Sequence, residues 1–186
     1  MKTQSRCPWA EKEIFHAYHD QEWGTPSHND DTHFELLILE GAQAGLSWET
    51  VLKKRTAYRE VFAHFSPQAV AKMPFSVVDT LMLDVRLIRN RSKLTSTIIN
   101  AEKFLAIQKE FGSFNAYVWR FVNNQPLIYR PQSPADYKTR NDVSDALSKD
   151  LKKRGFKFIG TTIMYAYLQA AGLVDDHHST CFRATK

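Results

Sequence analysis

The chain has 186 residues, with 25 Lys and Arg against 20 Asp and Glu, for a formal net charge of +5 and a pI near 9.2. Hydrophobic residues make up 43% and charged residues 24%, which excludes a disordered chain or a collagen-like fibre, and two cysteines exclude a disulfide scaffold. No apolar run reaches the roughly 18 residues of a membrane span, and the N-terminus lacks the apolar core of a secretory signal, so a cytosolic, reduced protein is expected.

In chain order, the pattern from Thr32 to Glu35 reads as a capping box ahead of FELLILEGAQ, where Phe34, Leu37 and Ile38 share a helical face. Gly45 interrupts that helix. A second is expected from Ser47 or Trp48 to about His64, stopped by Ser66 and Pro67, which open a short third. Ser76 to Asp79 predicts the cap of a fourth helix ending near Leu83. A tight hairpin follows over 84–90, then a long helix from Arg91 to Phe111, closed by Gly112. Ser113 caps a helix to about Val122. Residues 123–143, with Pro126, Pro131 and Pro134, read as one long loop. Ser144 starts a helix that ends at Gly155, and a last helix runs from about Thr162 to Ala171. No stretch alternates cleanly with period two, so an all-α fold in one compact domain over 1–186 is expected.

Four residues near the two ends form a chemically complete zinc set: Cys7 and His19, then His177 and Cys181 with three residues between them. Asp20, Asp175 and Asp176 are neighbours able to orient the imidazoles. The plainer alternative is two free cysteines and a frayed, polar tail, and His178 is as good a chemical candidate as His177. Glu40 ends the run LLILE, and its apolar neighbours favour a buried carboxylate, which needs a partner, a raised pKa or a cationic ligand. Trp9, Tyr18, Trp23 and Trp48 offer flat faces that can clamp a base through stacking and cation–π attraction, or simply pack in a core. The small-residue turn at Gly45 and Leu46 can carry an apolar wedge into a base stack, or be a plain helix connection. Basic residues cluster at 53–55, at Arg89, Arg91 and Lys93, and at 152–154, and each cluster can meet phosphates or be a solvated helix end.

Longer stretches carry a resemblance over nearly the whole chain: AYHDQEWGTP (17–26), LEGAQAGLSWETVLKKR (39–55), FVNNQP (121–126), SDALSKDLKKRGFKFIGTTI (144–163) and LQAAGLVDDH (168–177). The sequence resembles the 3-methyladenine DNA glycosylase I family of the helix-hairpin-helix group. That resemblance implies a monofunctional hydrolase without lyase activity, which excises 3-methyladenine from double-stranded alkylated DNA and leaves an abasic site. It implies Glu40 as the essential pocket residue and Trp9, Tyr18, Trp23 and Trp48 as pocket aromatics. Gly45 and Leu46 would plug the gap left in the DNA, and the turn at 84–93, with Arg89, Arg91 and Lys93, would meet the backbone. One structural zinc would be held by Cys7, His19, His177 and Cys181, packing the terminal segments 1–25 and 173–186 together. The resemblance selects His177 over His178, and it implies a monomer with no membrane or obligate protein partner. Phe15 stands where the family carries Tyr, and Arg86 where the hairpin often has Gly. A non-enzymatic zinc-stabilised nucleic-acid-binding module and a glycosylase retuned to another lesion are the competing readings.

Overall fold

The structure, a computed structural model, describes residues 5–184, so the outermost ends of the two expected terminal segments lie outside the described residues. Nine α-helices are found among them: α1 (His16–Gln21), α2 (Asp30–Gln43), α3 (Trp48–Val61), α4 (Pro67–Val70), α5 (Val77–Leu81), α6 (Arg91–Phe111), α7 (Phe114–Trp119), α8 (Asp142–Lys153) and α9 (Thr161–Ala170). The fold is predominantly helical, as the sequence predicts.

Helix α2 organises the molecule. It packs against α3, α6, α7 and α9, and its residues from His33 to Ala42 are all buried. The sequence suggests a single apolar face, but a helix that is wrapped on several sides must be apolar nearly all round. The polar residues in this buried stretch therefore need specific partners. Glu35 takes Arg55 at 2.6 Å and Arg59 at 2.8 Å, and Arg55 also forks onto Glu22. At the start of the same helix, Asp30 accepts from the backbone N–H groups of Phe114 and Asn115, fixing the start of α7.

Several local expectations are corrected. The cap of α2 is Asn29, whose side chain accepts from the Thr32 N–H, so Thr32 lies inside the helix rather than ahead of it. Ser76 precedes α5 without a side-chain cap bond. Ser47, Ser66 and Ser113 do cap their helices, and α6 has the expected bounds. Helix α8 begins earlier than expected because Asn141 and Ser144 form a reciprocal capping box. The segment 84–90 is a turn without strand pairing, closed by the Leu87 N–H on Asp84 O and the Arg86 N–H on Asp84 Oδ1.

The chain also holds a two-stranded parallel ladder that the all-α expectation lacks. In it β1 (Leu127–Ile128) pairs with β2 (Val174–Asp175), Leu127 opposite Val174 and Ile128 opposite Asp175. The C-terminal segment is accordingly not a polar tail. Leu173, Val174, Asp176, His177 and Cys181 are all buried. The ladder fastens the 123–143 loop to this segment.

Candidate functional site

Glu40 lies in the last turn of α2 and is 4% exposed. Among the described residues, nothing donates to its carboxylate and no cation pairs with it. Burial alone pushes its pKa from 4.5 up to about 8, because the charged form loses its water and gains nothing in return. The carboxylate borders a cleft of about 320 Å³ whose walls include Trp9, Tyr18, Trp23 and Trp48.

Each aromatic is held by local structure. Tyr18 sits in α1 and Trp48 opens α3 behind its Ser47 cap, with the two rings tilted at 46° and 5.1 Å between centroids. Trp9 stands edge-on to Trp23 at 5.0 Å and to Tyr18 at 6.3 Å. Burial, and then the nearby Glu40, raise the Tyr18 phenol well above its ordinary pKa, which keeps it a hydrogen-bond donor beside the carboxylate. Phe15 packs edge-on to Trp9 at 5.9 Å and brings no hydroxyl to the group. The five residues singled out as a pocket in the sequence thus share one cleft.

The cleft has further walls that sequence reasoning missed. Gln43 follows Glu40 by one helical turn, a spacing that could have flagged it. Gln169 comes from α9, its amide donating to the buried Asp176 at 2.8 Å. Tyr137 and Lys138 come from the 123–143 loop, where Tyr137 lies against His178 and the Lys138 ammonium sits 4.3 Å from the centre of the Tyr129 ring. An adjoining cleft shares Glu40 and Gln43 and extends over Gly45, Leu46, Thr162 and Ile163.

A second constellation adjoins the first. The ligand atoms of Cys7, His19, His177 and Cys181 all lie within 4.8 Å of one another, and all four residues are buried. Asp20 Oδ1 accepts from His19 Nδ1 at 2.8 Å, and Asp175 Oδ1 from His177 Nδ1 at 2.7 Å, which turns both Nε2 atoms inward. Arg6 and Arg130 hold those two carboxylates in place. His177 Nε2 is buried and has no hydrogen-bond partner, a cost that a cation at the centre would remove. Backbone N–H groups of His178 and Arg183 point at the sulfurs of Cys7 and Cys181, at 3.3 and 3.4 Å, as suits thiolates. Burial pushes the Cys7 thiol up to about 12 and His19 below its ordinary value. The donor set fits a divalent metal. Gly24, at φ +70°, completes the packing: a Cβ there would stand 2.6 Å from His177 Cε1.

Of the neighbours, one agrees with expectation and one departs from it. His178 turns away to Thr180 and is outside the set, as the resemblance implies. Asp176 does not orient His177 and instead accepts from Tyr165 and Gln169. The cluster also touches the cleft wall, with Trp9 on His19 at 5.3 Å and Trp23 on His177 at 4.7 Å.

The expected DNA-facing residues divide. Leu46 is 41% exposed at the Gly45 turn, Arg89 is exposed, and Arg91 is exposed while pairing with Asp79 at 2.7 Å. Lys93 is not a surface cation. It is 9% exposed, with its ammonium on the backbone oxygens of Ala42 and Ala44 at 2.9 and 2.6 Å. In the other basic segments, Arg55 is buried on Glu22 and Glu35, and Arg154 is occupied by Glu110 and Asp150. Arg86 spends its charge on Asp84 and Glu60.

With this geometry in hand, comparisons with known proteins are decisive. A family model described as methyladenine glycosylase matches residues 9–184. A Haemophilus influenzae protein named DNA-3-methyladenine glycosylase is 48% identical over 178 residues, covering 95% of this chain and 96% of the relative. An Escherichia coli protein named DNA-3-methyladenine glycosylase 1 is 47% identical, covering 95% of each. A solved structure of 3-methyladenine DNA glycosylase I from Staphylococcus aureus, described as showing the structural basis of 3-methyladenine recognition, superposes with a TM-score of 0.93 at 38% identity, covering 97% of both chains.

Proposed function

The chain belongs to the methyladenine glycosylase family, and from that premise we infer that it is a base-excision repair enzyme hydrolysing the N-glycosidic bond of 3-methyladenine in alkylated DNA. The products are the free base and an abasic site, without strand cleavage. The single observation that carries the chemistry is Glu40: a carboxylate 4% exposed, facing a cleft walled by aromatic rings, with no cation of its own.

Adenine methylated at N3 is cationic, and its bond to the sugar breaks to give a neutral leaving group. No strong acid is needed. What the enzyme must do is extract the base from the stack, recognise it and hold it. Trp48 and Tyr18 would stack on the two faces of the ring once their centroids, 5.1 Å apart in this structure, separate to admit it, and Trp9 and Trp23 shape the walls. Glu40 supplies the counter-charge. In the free enzyme its raised pKa favours the neutral acid, and the arriving cation stabilises the anion, so the base binds with loss of the Glu40 proton. The carboxylate accepts from the adenine edge and stabilises the positive charge spread over base and sugar as the bond lengthens and water attacks. The rings shield the carboxylate from bulk solvent, which strengthens that attraction.

Zinc fits the second constellation as a structural ion. Cys7, His19, His177 and Cys181 would hold it, and four protein ligands leave no open position for a reacting water. Its contribution would be to join the segments 1–25 and 173–186 within one domain spanning 1–186. The turn at 84–93 would act as the hairpin of a helix-hairpin-helix element, with Arg89 and Arg91 meeting phosphates, while Leu46 would fill the space vacated by the flipped base. The enzyme is read as a cytoplasmic monomer acting on double-stranded DNA. Chromatography of the bases released from methylated duplex DNA tests this reading. Free 3-methyladenine in the soluble fraction, with the phosphodiester chain uncut, supports it, and DNA binding with no base released refutes it.

A further inference from the structure

Lys93 is a buried cation without an acid. Among the described residues its ammonium meets no carboxylate within ion-pair distance. Its partners are two carbonyl oxygens 51 and 49 residues away in sequence, Ala42 O at 2.9 Å and Ala44 O at 2.6 Å. These belong to the end of α2, where carbonyls run out of intrahelical donors and the helix dipole is negative, so an ammonium is a fitting cap. Burying it still opposes the charge, and desolvation lowers its pKa, so the residue occupies this place at a cost.

The two ends of this side chain sit in two different structures. Its backbone is in the first turn of α6, where its N–H donates to the Asn90 cap at 3.1 Å, next to the exposed Arg89 and Arg91. Its tip holds the residues that lead directly into Gly45 and Leu46. That turn has little else to fix it on the α2 side: the Leu46 N–H on Gln43 O at 2.6 Å and the Ala44 N–H on Gly41 O at 3.3 Å. Gly45 meets nothing within 4 Å of where a Cβ would stand, so packing does not brace it.

We propose that Lys93 is a positioning residue: it ties the Gln43–Leu46 turn to the first turn of α6, so that the wedge and the phosphate-facing turn meet duplex DNA as one rigid unit. This rests on reading those two turns as DNA contacts. The side chain touches neither base nor phosphate. It acts through Leu46, and its effect should vanish when Leu46 has nothing to insert.

The test is a double-mutant cycle between Lys93→Met and Leu46→Ala, read as kcat/KM for excision of 3-methyladenine from duplex DNA. Lys93→Met alone should lower kcat/KM about tenfold, but only about twofold or less in the Leu46→Ala background. Binding of free 3-methyladenine, followed by quenching of tryptophan fluorescence, should stay within about twofold of wild type, because Lys93 lines no part of the pocket and Glu40 and the four aromatics stay in place. The salt dependence of duplex binding should keep its slope, since no phosphate contact is removed. Equal losses in both backgrounds would overturn the proposal, and so would a slope reduced by about one, which would mean that Lys93 meets a phosphate directly. If Lys93→Met is not soluble, Lys93→Gln, shorter but still a donor, serves in the same cycle. A wild-type enzyme that binds duplex DNA but releases no base would instead count against the parent reading.

Discussion

Glu40 should make the free enzyme less stable, and the amount can be worked out. Its carboxyl moves from an ordinary 4.5 to about 8 on folding, through burial alone. A carboxyl with a raised folded pKa binds its proton more tightly in the native state. Stability is therefore full below pH 4.5 and falls as pH rises towards 8. The full range is worth on the order of 5 kcal/mol, of which about 3 kcal/mol is already lost at pH 7. Glu40→Gln keeps the shape and removes the titration. The variant should therefore gain on wild type by roughly 3–4 kcal/mol between pH 5 and pH 8, whatever constant offset the amide introduces. Urea unfolding of both proteins at the two pH values measures this directly, and taking the difference cancels every other titrating group. A difference that stays the same at pH 5 and pH 8 would refute the reasoning, because it would mean that the carboxylate is solvated or paired in the native state. A site that trades stability for a buried, unpaired carboxyl group is the expected signature of a residue kept for binding a cation.

Other outcomes follow from the same geometry. Cys7→Ala and Cys181→Ala should each abolish tight zinc binding and cost at least ~2 kcal/mol of stability, checked by metal analysis and thermal melting. Arg89→Ala with Arg91→Ala should weaken binding to all duplex sequences alike and flatten the salt dependence, since phosphate contacts carry no base information; an unchanged slope would place the backbone-contacting surface elsewhere. Arg55→Met should lose about 3 kcal/mol, because it strips a buried partner from Glu35 and a bidentate one from Glu22, while free-base binding persists in the folded fraction.

How much of this was legible in the sequence depended on how local the signal was. Helix α6 and the caps at Ser47, Ser66 and Ser113 were readable because a capping side chain and its target lie three residues apart. The cap of α2 was misread because Asn29 and Thr32 are both good capping residues, and only the tertiary entry path chooses between them. The apolar surroundings of Glu40 were visible in LLILE, but the lack of a partner was not, since partners come from distant helices. Lys93 shows the reverse error. A lysine just after two exposed arginines reads as surface charge, and nothing local reveals two carbonyls waiting some 50 residues upstream. The strand pair that fastens the start of the 123–143 loop is only two residues long on each side, too short for any alternation to register.

The central claim is that a cationic base is held for departure by a lone buried carboxylate among aromatic faces. Single-turnover excision rates on otherwise identical duplexes containing 3-methyladenine, uracil or hypoxanthine, for wild type, Glu40→Gln and Glu40→Ala, test it most directly. The account predicts rapid release of 3-methyladenine by wild type, little or no release of the two neutral bases, and a loss of about tenfold or more in both variants, equivalent to ~1.4 kcal/mol of transition-state stabilisation. Brisk removal of uracil or hypoxanthine by wild type, or an unimpaired Glu40→Ala enzyme, would contradict it.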